Sequence, residues 1–595
     1  MPDMRTTMRT HACGELRAGH VGAEVTLCGW VWRERDHGGV TFLDLRDREG
    51  LVQLVFHPEH APEAHAAAQS FKPESVVRVI GEVRARPEGT VNPNLPSGEV
   101  EVVVRSAEML SAADTPPFPI EDRIEASEEL RLRYRYLDLR RPEMSRILGL
   151  RHRVNRIVRD HMESQGFLEV ETPYLTRSTP EGARDFLVPS RLWQGTFYAL
   201  PQSPQQLKQL LMVAGQDRYY QIVRCFRDEN PRADRGFEFT QLDVEMSFIT
   251  EEDVFALIEP LMARIVRETQ GVEVATPFPR MTYREMQDRF GSDKPDLRYG
   301  MELADLGGMF AGTGFRAFAS VLETGGVVKG FAAPGAGQVS RKEHAQLTQI
   351  AKANGAAGLV TFAVLPEGVR SQVEKHVTPE EVQGVLAVTG AAEGDLVLVV
   401  ADRVDRANVA LDALRRQMAA RLDLIPANTW SFCWMVEPPL FEWSDDEGKW
   451  VSVHHPFTSA VDPDDLEPAT AKARAYDLVL NGFELGGGSI RIHDAEVQRR
   501  VFERLGLSPE QTEEQFGHLI RAFRFGVPPH GGVALGIDRI VMVMAGKEAI
   551  RDVTAFPKAQ SGQDPLTGAP ARVSVEQLRE LGIRVVAPQP ELEGA

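Results

Sequence analysis

Five short runs rich in β-branched and aromatic residues, separated by turn-forming residues, occupy the first 110 residues of this chain. The runs are Val25–Trp32, Val40–Leu45, Leu51–Phe56, Val76–Val83 and Val100–Val104. Five strands in so short a segment favour a small barrel, and an OB-fold is the leading candidate. The segment carries 12 Lys and Arg residues against 16 Asp and Glu residues. If the barrel binds nucleic acid, stacking and hydrogen bonds must therefore contribute more than bulk charge.

Composition narrows the class of the whole chain. Its 595 residues, 43% hydrophobic and 26% charged, are typical of a soluble protein with several domains. The longest apolar runs, such as Leu396–Ala401, are far shorter than the ~20 residues that cross a bilayer, and the polar first residues contain no signal-peptide core. Four scattered cysteines argue against a disulfide framework and a thiolate zinc site. This cysteine usage favours a reducing cytoplasm. The net charge of −19 disfavours a protein that simply coats nucleic acid, so we expect a cytoplasmic enzyme.

The segment after the barrel changes from linker to helix. A Pro-rich linker precedes a stretch dense in arginine between Arg131 and Arg141, which suits either a solvated hinge helix or a phosphate contact. Apolar residues then recur at helical spacing over Ser145–Gln165. Phe167–Thr172 follows as a predicted strand, stopped by Pro173.

Two further changes of residue composition suggest how the rest of the chain is divided into domains. Residues 295–415 are rich in Gly and Ala and poor in aromatics, which indicates a separate α/β module inserted into a larger domain. The β-rich texture resumes around Thr429. We therefore predict a barrel over 1–110, a hinge over 111–143, a catalytic domain whose two parts are 144–290 and 419–560, an insertion over 291–418 and a C-terminal extension over 561–595.

Two arginine-bearing segments carry the strongest chemical signal. Phe226–Asp243 reads as strand, charged loop and strand, and it contains Arg227. Gly531–Arg539 is a glycine-rich strand that runs into a helix with an arginine near its start. The guanidinium fork suits phosphate or carboxylate, although each segment alone could be a structural ion-pair site. No Walker loop, Gly-x-Gly-x-x-Gly loop between strand and helix, His-Glu-x-x-His or Gly-x-Ser-x-Gly motif occurs, and Gly486–Gly488 more simply marks close backbone approach within a sheet.

Together the two segments resemble motifs 2 and 3 of class II aminoacyl-tRNA synthetases, and the helix before Gly166 with its strand and Pro173 resembles motif 1, which forms the dimer interface in that class. Four more segments extend the resemblance to bacterial-type aspartyl-tRNA synthetases over nearly the whole chain: Thr179–Phe186, Gln202–Gln205, His454–Thr458 and Asn481–Arg491. The inserted module resembles that family's GAD domain. The resemblance implies an α+β multidomain homodimer with an N-terminal OB-fold barrel, a class II antiparallel-sheet catalytic domain and an inserted α/β GAD-like domain.

The implied reaction joins aspartate to AMP with release of pyrophosphate, and then transfers aspartate to tRNA-Asp. The resemblance makes Arg227 and Arg539 the catalytic residues, acting on the α- and γ-phosphates of ATP. The implied ATP-binding residues are Arg227, Asp228, Glu229, Glu484, Gly536, Ile537, Asp538 and Arg539. Asp477 and Glu484 would hold Mg²⁺, whose preferred ligands are hard oxygens, although both could instead lie on a solvated strand face. The family usually has Gln where this chain has Gly236, so we assign Gly236 no role.

The aspartate pocket implied by the resemblance is cationic. Arg491 would pair with the substrate side chain, and Lys208 would add a point charge. The full implied set is Glu181, Ser203, Gln205, Lys208, Arg227, Asp243, His454 and Arg491. A structural role remains open for His455.

The barrel would bind the tRNA anticodon. Phe42 is the implied stacking residue, with Arg35, Gln53 and Glu101 as hydrogen-bonding partners; the alternative for Phe42 is a barrel-core aromatic. His37 and Gly89 resemble the residues of members that also aspartylate tRNA-Asn, and the sequence leaves open whether this chain does so. Two other functions remain open: a synthetase of the same subclass for asparagine or lysine, and a non-catalytic tRNA-binding paralogue.

Overall fold

A computed structural model describes residues 5–178, 182–445 and 447–586. The chain forms two compact units. The first contains residues up to Gly149 together with 555–559 and 563–570, and the second contains residues from Leu150 to Thr554 together with 560–562 and the residues from Ala571 onward. In the described part of the chain, no helix is both long enough and apolar enough to cross a membrane.

The first unit contains a closed five-stranded barrel, which confirms the predicted OB-fold. Its strands are β1 (Glu24–His37), β2 (Val40–Asp47), β3 (Gly50–Phe56), β4 (Val76–Ala85) and β5 (Val100–Ser111), with helix α1 (Pro62–Ala68) after β3 and 3-10 turns at Cys13–Glu15 and Ala18–His20. The order is β1-β2-β3-β5-β4, and only the β3–β5 pair is parallel. Leu43 and Leu45 lie in the barrel core, so the residues between and beside them on β2 face outward.

The arginine-dense segment of this unit differs from both sequence-based interpretations. It forms helices α2 (Glu128–Arg133) and α3 (Arg135–Asp138), followed by the long helix α4 (Pro142–Ser164). Arg135 and Arg141 are 3% and 4% exposed and both pair with Asp138, which is fully buried. A solvated helix and a phosphate contact are therefore both wrong for these two arginines, because both guanidinium groups are buried and pair with a buried carboxylate.

The second unit begins within α4, at Leu150. Its first elements are β6 (Leu168–Glu169), β7 (Leu187–Pro189), β8 (Phe197–Ala199), α5 (Gln205–Val213), β9 (Arg218–Phe226), β10 (Glu238–Ser247), α6 (Glu251–Gln270), β11 (Arg280–Thr282) and α7 (Tyr283–Phe290). β6 is shorter than the predicted strand Phe167–Thr172. It lies at the sheet edge with β9 as its single neighbour, so the residues that follow have little strand pairing to hold them extended.

The middle of the chain forms a second sheet within the second unit. Its elements are β12 (Ala304–Asp305), a 3-10 turn at Gly307–Phe310, α8 (Arg316–Glu323), β13 (Val327–Ala333), α9 (Arg341–Ala353), β14 (Val360–Leu365), β15 (Gly368–Ser371), α10 (Pro379–Thr389), β16 (Leu396–Asp402) and α11 (Val404–Arg421). The strand order is β12-β13-β16-β14-β15. Successive residues of β16 enter apolar clusters on opposite faces of the sheet, which explains its continuous apolar run.

The chain then returns to the large, eight-stranded sheet of the second unit. The remaining elements are β17 (Phe432–Val436), β18 (Phe441–Ser444), β19 (Lys449–Ser452), β20 (Ala475–Leu480), β21 (Phe483–Ile490), α12 (Ala495–Arg504), α13 (Pro509–Phe523), β22 (His530–Gly536), α14 (Ile537–Met544), a 3-10 turn at Ile550–Val553 and α15 (Val575–Glu580). The sheet order is β11-β17-β20-β21-β22-β10-β9-β6, antiparallel except at its two edge pairs. A Cβ on Gly488 would come within 1.9 Å of the Gly532 carbonyl oxygen, so the glycine run does mark close strand approach.

Candidate active site

A cavity of about 960 Å³ opens over the central strands of the eight-stranded sheet. Its walls come from the β9–β10 loop, β20, β21, β22, the start of α14, helix α5 and the β18–β19 hairpin. Most predicted site residues line it: Ser203, Gln205, Lys208, Arg227, Glu229, Asp243, His454, Asp477, Glu484, Arg491, Gly536, Asp538 and Arg539. Asp228 and Ile537 are not among the lining residues, and Glu181 lies outside the described residues.

A buried network of two cations and two carboxylates forms one end of the cavity. Lys208 and Arg491 are 1% and 2% exposed, and Asp243 and Glu245 are fully buried. Arg491 donates through Nε and Nη2 to both carboxylate oxygens of Glu245 at 2.9 and 3.0 Å. Lys208 Nζ lies 2.5 Å from Asp243 Oδ1 and 3.2 Å from Glu245 Oε2. Alternation along β10 places both carboxylates on the same face of the sheet.

Glu245 is the residue of this network that the sequence analysis missed. Burial opposes its ionisation, but Arg491 and Lys208 together hold the pKa of Glu245 at about 2. Its carboxylate is therefore ionised and joins the two predicted substrate-binding cations. The available signal was its position two residues after Asp243 on a strand, which puts both side chains on one face.

Asp243 has spare acceptor capacity. Burial raises the pKa of Asp243, while Lys208 opposes that shift. Beyond the ion pair with Lys208, neither of its carboxylate oxygens accepts a hydrogen bond from any residue that the structure describes. A buried acceptor in this state favours a cationic or N–H-bearing ligand in the cavity.

His454 and His455 adjoin the same end of the cavity. Burial, with Arg491 acting in the same direction, lowers the pKa of His454 to about 4 and that of His455 well below its ordinary value. Both imidazoles are therefore neutral at pH 7. Arg491 Nη1 donates to His455 Nε2 at 2.6 Å, so His455 orients the guanidinium.

Arg227 lies on the β9–β10 loop and Arg539 lies on α14, and both line the cavity. The buried Nε of Arg227 donates to no acceptor among the described residues, and its guanidinium lies 5.1 Å from the centre of the Phe239 ring. Arg539 donates to the Glu484 carbonyl at 2.8 Å and lies 3.4 Å from Asp234 Oδ2. An arginine with an unused buried donor suits an anionic ligand.

Asp538 has a structural role that sequence reasoning did not separate from ligand binding. Its carboxylate accepts from Arg151 Nη1 at 2.5 Å and from the Thr240 N–H at 2.6 Å. These bonds fasten the start of α14 to β10. They fix the helix that presents Arg539 one residue later.

Asp477 and Glu484 lie on the adjacent strands β20 and β21 and line the same cavity. Burial raises the pKa of Asp477 well above its ordinary value, and Glu484 and Asp293 add to the shift. A divalent cation would relieve this repulsion, so the residues fit the implied Mg²⁺. The described residues contain no cluster of three His, Cys, Asp or Glu arranged as a metal site.

The predicted anticodon residues share the outer face of the barrel in the first unit. Phe42 pairs with Arg35 across β1 and β2, is half-buried and lies outside the barrel core, so the core-aromatic alternative is wrong. Gln53 Nε2 donates to Glu101 Oε2 at 2.9 Å, and Arg35 pairs with Asp44 at 3.0 Å.

The two predicted specificity positions are exposed. His37 ends β1 beside a tight turn to β2, and Gly89 has φ +82° in the loop between β4 and β5. That φ favours glycine, although an added Cβ at Gly89 would meet no atom within 4 Å in the described structure.

Comparisons with known proteins agree with this geometry. A family model described as "tRNA synthetases class II (D, K and N)" matches residues 127–560, and an "OB-fold nucleic acid binding domain" model matches residues 25–110. An aspartate–tRNA(Asp/Asn) ligase of Moorella thermoacetica is 56% identical over 97% of both chains, and one of Heliobacterium modesticaldum is 51% identical over 99% of this chain and 98% of its own. The asparaginyl-tRNA synthetase of Pyrococcus horikoshii, solved with asparaginyl-adenylate, has the same fold at 20% identity, with a TM-score of 0.58 over 95% of this chain and 99% of that one.

Proposed function

Because the chain belongs to the class II tRNA synthetase family of the D, K and N enzymes, and within it to the aspartate–tRNA ligases, we propose that it attaches L-aspartate to tRNA-Asp and tRNA-Asn through an aspartyl-adenylate. The observation that carries the choice of amino acid is the buried network of Lys208, Arg491, Asp243 and Glu245. The substrates are L-aspartate, ATP and tRNA, and the reaction releases AMP and pyrophosphate.

The network suits aspartate at both of its charged ends. Arg491 and Lys208 both line the cavity, and their two positive charges suit the β-carboxylate of aspartate. The α-ammonium group needs acceptors, which Asp243 offers with its unused lone pairs. Ser203 and Gln205 line the same wall, and Glu181 and His454 complete the proposed aspartate site.

Activation brings two anions together, the α-carboxylate of aspartate and the α-phosphate of ATP. Arg227 is proposed to bind both, because it lines the cavity with an unused buried Nε–H. Arg539 is proposed to bind the γ-phosphate, and Glu229 the adenosine. The residues thereby position the carboxylate oxygen against phosphorus and stabilise the negative charge that develops there.

Asp477 and Glu484 are the proposed Mg²⁺ ligands. When bound there, the ion supplies positive charge to the phosphates of ATP. Transfer to the tRNA then places the 3′-terminal ribose at the adenylate. The outer face of the barrel around Phe42 is proposed to bind the unstacked anticodon bases.

We further propose a cytoplasmic homodimer. Leu168, Tyr174 and Leu175, in and after the motif 1 strand, are 54%, 44% and 53% exposed. A second copy that covers this segment would remove their apolar surface from water. Light scattering should give twice the monomer mass of 66.1 kDa, and a monomeric mass would contradict the proposal.

Two alternative functions fit the site less well. A lysine enzyme would need an anionic pocket for the substrate side chain, whereas Lys208 and Arg491 are the cavity's buried cations. A non-catalytic paralogue would not need an arginine with an unused buried donor in the same cavity as a carboxylate pair.

Exchange of labelled pyrophosphate into ATP tests the proposal without tRNA. Parallel reactions with aspartate, asparagine and lysine should show exchange with aspartate alone. Exchange with asparagine or lysine in place of aspartate would assign the chain to the corresponding subclass enzyme. Absence of exchange with all three would support the paralogue.

A further inference from the structure

The base of the β9–β10 loop is closed by one hydrogen bond between its two ends. The N–H of Arg227 donates to the carbonyl of Phe237 at 2.8 Å. The main chain of Arg227 therefore follows the position of Phe237. A guanidinium at the end of a long side chain moves when its own backbone moves, so the proposed phosphate contact depends on this bond.

The Phe237 ring is held on two sides. It packs edge-to-face on Phe186, with ring centroids 5.6 Å apart and an interplanar angle of 86°. The ring also contacts Gly562, in a turn of the C-terminal segment, which we define as residues 561–586. A Cβ on Gly562 would come within 2.5 Å of Phe237 Cε2 and 3.0 Å of Cζ. This contact is possible only because residue 562 has no side chain.

The middle of the same loop, around Ala233 and Gly236, contacts a different residue. The N–H of Ile550 donates to the Ala233 carbonyl at 2.9 Å, and Ile550 Cδ1 would lie 3.5 Å from a Cβ on Gly236. The contact between Gly562 and Phe237 is therefore specific to the base of the loop, where Arg227 begins.

We propose that Phe237 is a positioning residue for Arg227, and that the Gly562 turn of the C-terminal segment holds Phe237 in place. The C-terminal segment thereby sets the geometry of ATP activation without touching the substrate. This inference rests on the proposed role of Arg227 in binding ATP.

Gly562→Ala tests the contact, and Gly568→Ala is its matched control. Both glycines have positive φ, +85° and +75°, and lie in the same C-terminal segment. An added Cβ at Gly568 meets no described atom within 4 Å, whereas at Gly562 it meets the Phe237 ring. The two variants therefore share the backbone strain and differ in the contact with Phe237.

Kinetics of aspartate-dependent pyrophosphate exchange give the readout. Gly562→Ala should lower kcat/KM for ATP by about tenfold or more relative to Gly568→Ala, since small misplacements of a catalytic group are costly. The kcat/KM for aspartate should fall as well, because Arg227 is proposed to bind its α-carboxylate too, and neither loss should occur in Gly568→Ala. The double variant Gly562→Ala/Phe237→Ala should be no worse than Phe237→Ala alone, because the clash requires the ring.

Two results would overturn the inference: equal kinetics of Gly562→Ala and Gly568→Ala, or additive effects in the double variant. If Gly562→Ala does not fold, Phe237→Leu provides the test instead. It should lower kcat/KM for ATP, and normal ATP kinetics of that variant would contradict the proposal. Absence of exchange in the unmodified protein would instead contradict the proposed function, so the two failures are distinguishable.

Discussion

Arg491 and Lys208 are almost completely buried, and a buried cation is costly unless an anion faces it. Glu245 meets this need for both cations at once. The network thus maintains two positive groups beside the cavity without an excess of charge. This pairing of charges explains why the proposed aspartate pocket contains two buried carboxylates of its own.

Replacing Arg491 tests the substrate side of this network. We expect Arg491→Leu to lower aspartate-dependent exchange on the order of 10³-fold, because the β-carboxylate loses its partner and Glu245 loses its bidentate donor. ATP binding measured by calorimetry should persist. Arg491→Lys is the matched control, since it keeps the charge without the fork and should retain part of the activity. Unchanged aspartate kinetics in Arg491→Leu would remove this residue from the pocket.

Glu245 predicts a specific dependence of stability on pH. Its folded-state pKa of about 2 lies below the ordinary value of 4.5. The stabilisation is therefore fully present above pH 4.5 and is lost as the pH falls towards 2, with a total of roughly 3 kcal/mol. Glu245→Gln should lower the free energy of unfolding at pH 7 and flatten its decline between pH 4.5 and 2. Urea unfolding at a series of pH values measures both, and an unchanged acid limb would contradict the assignment.

At the scale of the element, Asp138 organises the two short helices after the barrel. Its carboxylate pairs with both Arg135 and Arg141, which are buried. Asp138→Ala should destabilise the protein by about 3–5 kcal/mol, because two buried guanidinium groups would lose the carboxylate that pairs with both of them. Glu129→Ala is the control, since its pair with Arg133 is exposed and should contribute little. Equal unfolding free energies for the two variants would contradict this account.

The outer face of β2 should be required for tRNA recognition and dispensable for activation. Phe42→Ala should raise the KM for tRNA by roughly 10- to 100-fold, since stacking of one base contributes ~1–3 kcal/mol. Aspartate-dependent exchange should be unaffected. Val21→Ala, at another exposed apolar residue before β1, should change neither activity. Normal charging by Phe42→Ala would exclude the stacking role.

Local patterns predicted the elements better than their ion pairs. The five barrel strands and the helix before Gly166 follow from residue periodicity and turn residues. The strands are one to seven residues longer than predicted, and the helix begins three residues earlier and ends one residue earlier. Arg135 and Arg141 were read as exposed, because sequence spacing alone does not show that Asp138 is buried between them. Glu245 was missed for the same reason: its partners Lys208 and Arg491 come from distant elements, and only the folded sheet brings them together.

At the scale of the whole molecule, each unit carries one of the two proposed recognition tasks. The second unit holds the cavity with the aspartate and ATP residues, and the first holds the barrel with the anticodon residues. Amino-acid activation should therefore depend on the second unit, whereas the choice of tRNA should depend on the barrel as well. His37 and Gly89, both exposed on the barrel, are the positions at which relaxed tRNA choice would arise.

Charging of purified tRNA-Asp and tRNA-Asn transcripts with labelled aspartate and ATP tests the central claim most directly. We expect both transcripts to accept aspartate at comparable rates, and a transcript with an unrelated anticodon to remain uncharged. Charging of tRNA-Asp alone would contradict the relaxed specificity and leave His37 and Gly89 without that role. Charging of neither transcript would contradict the proposed function itself.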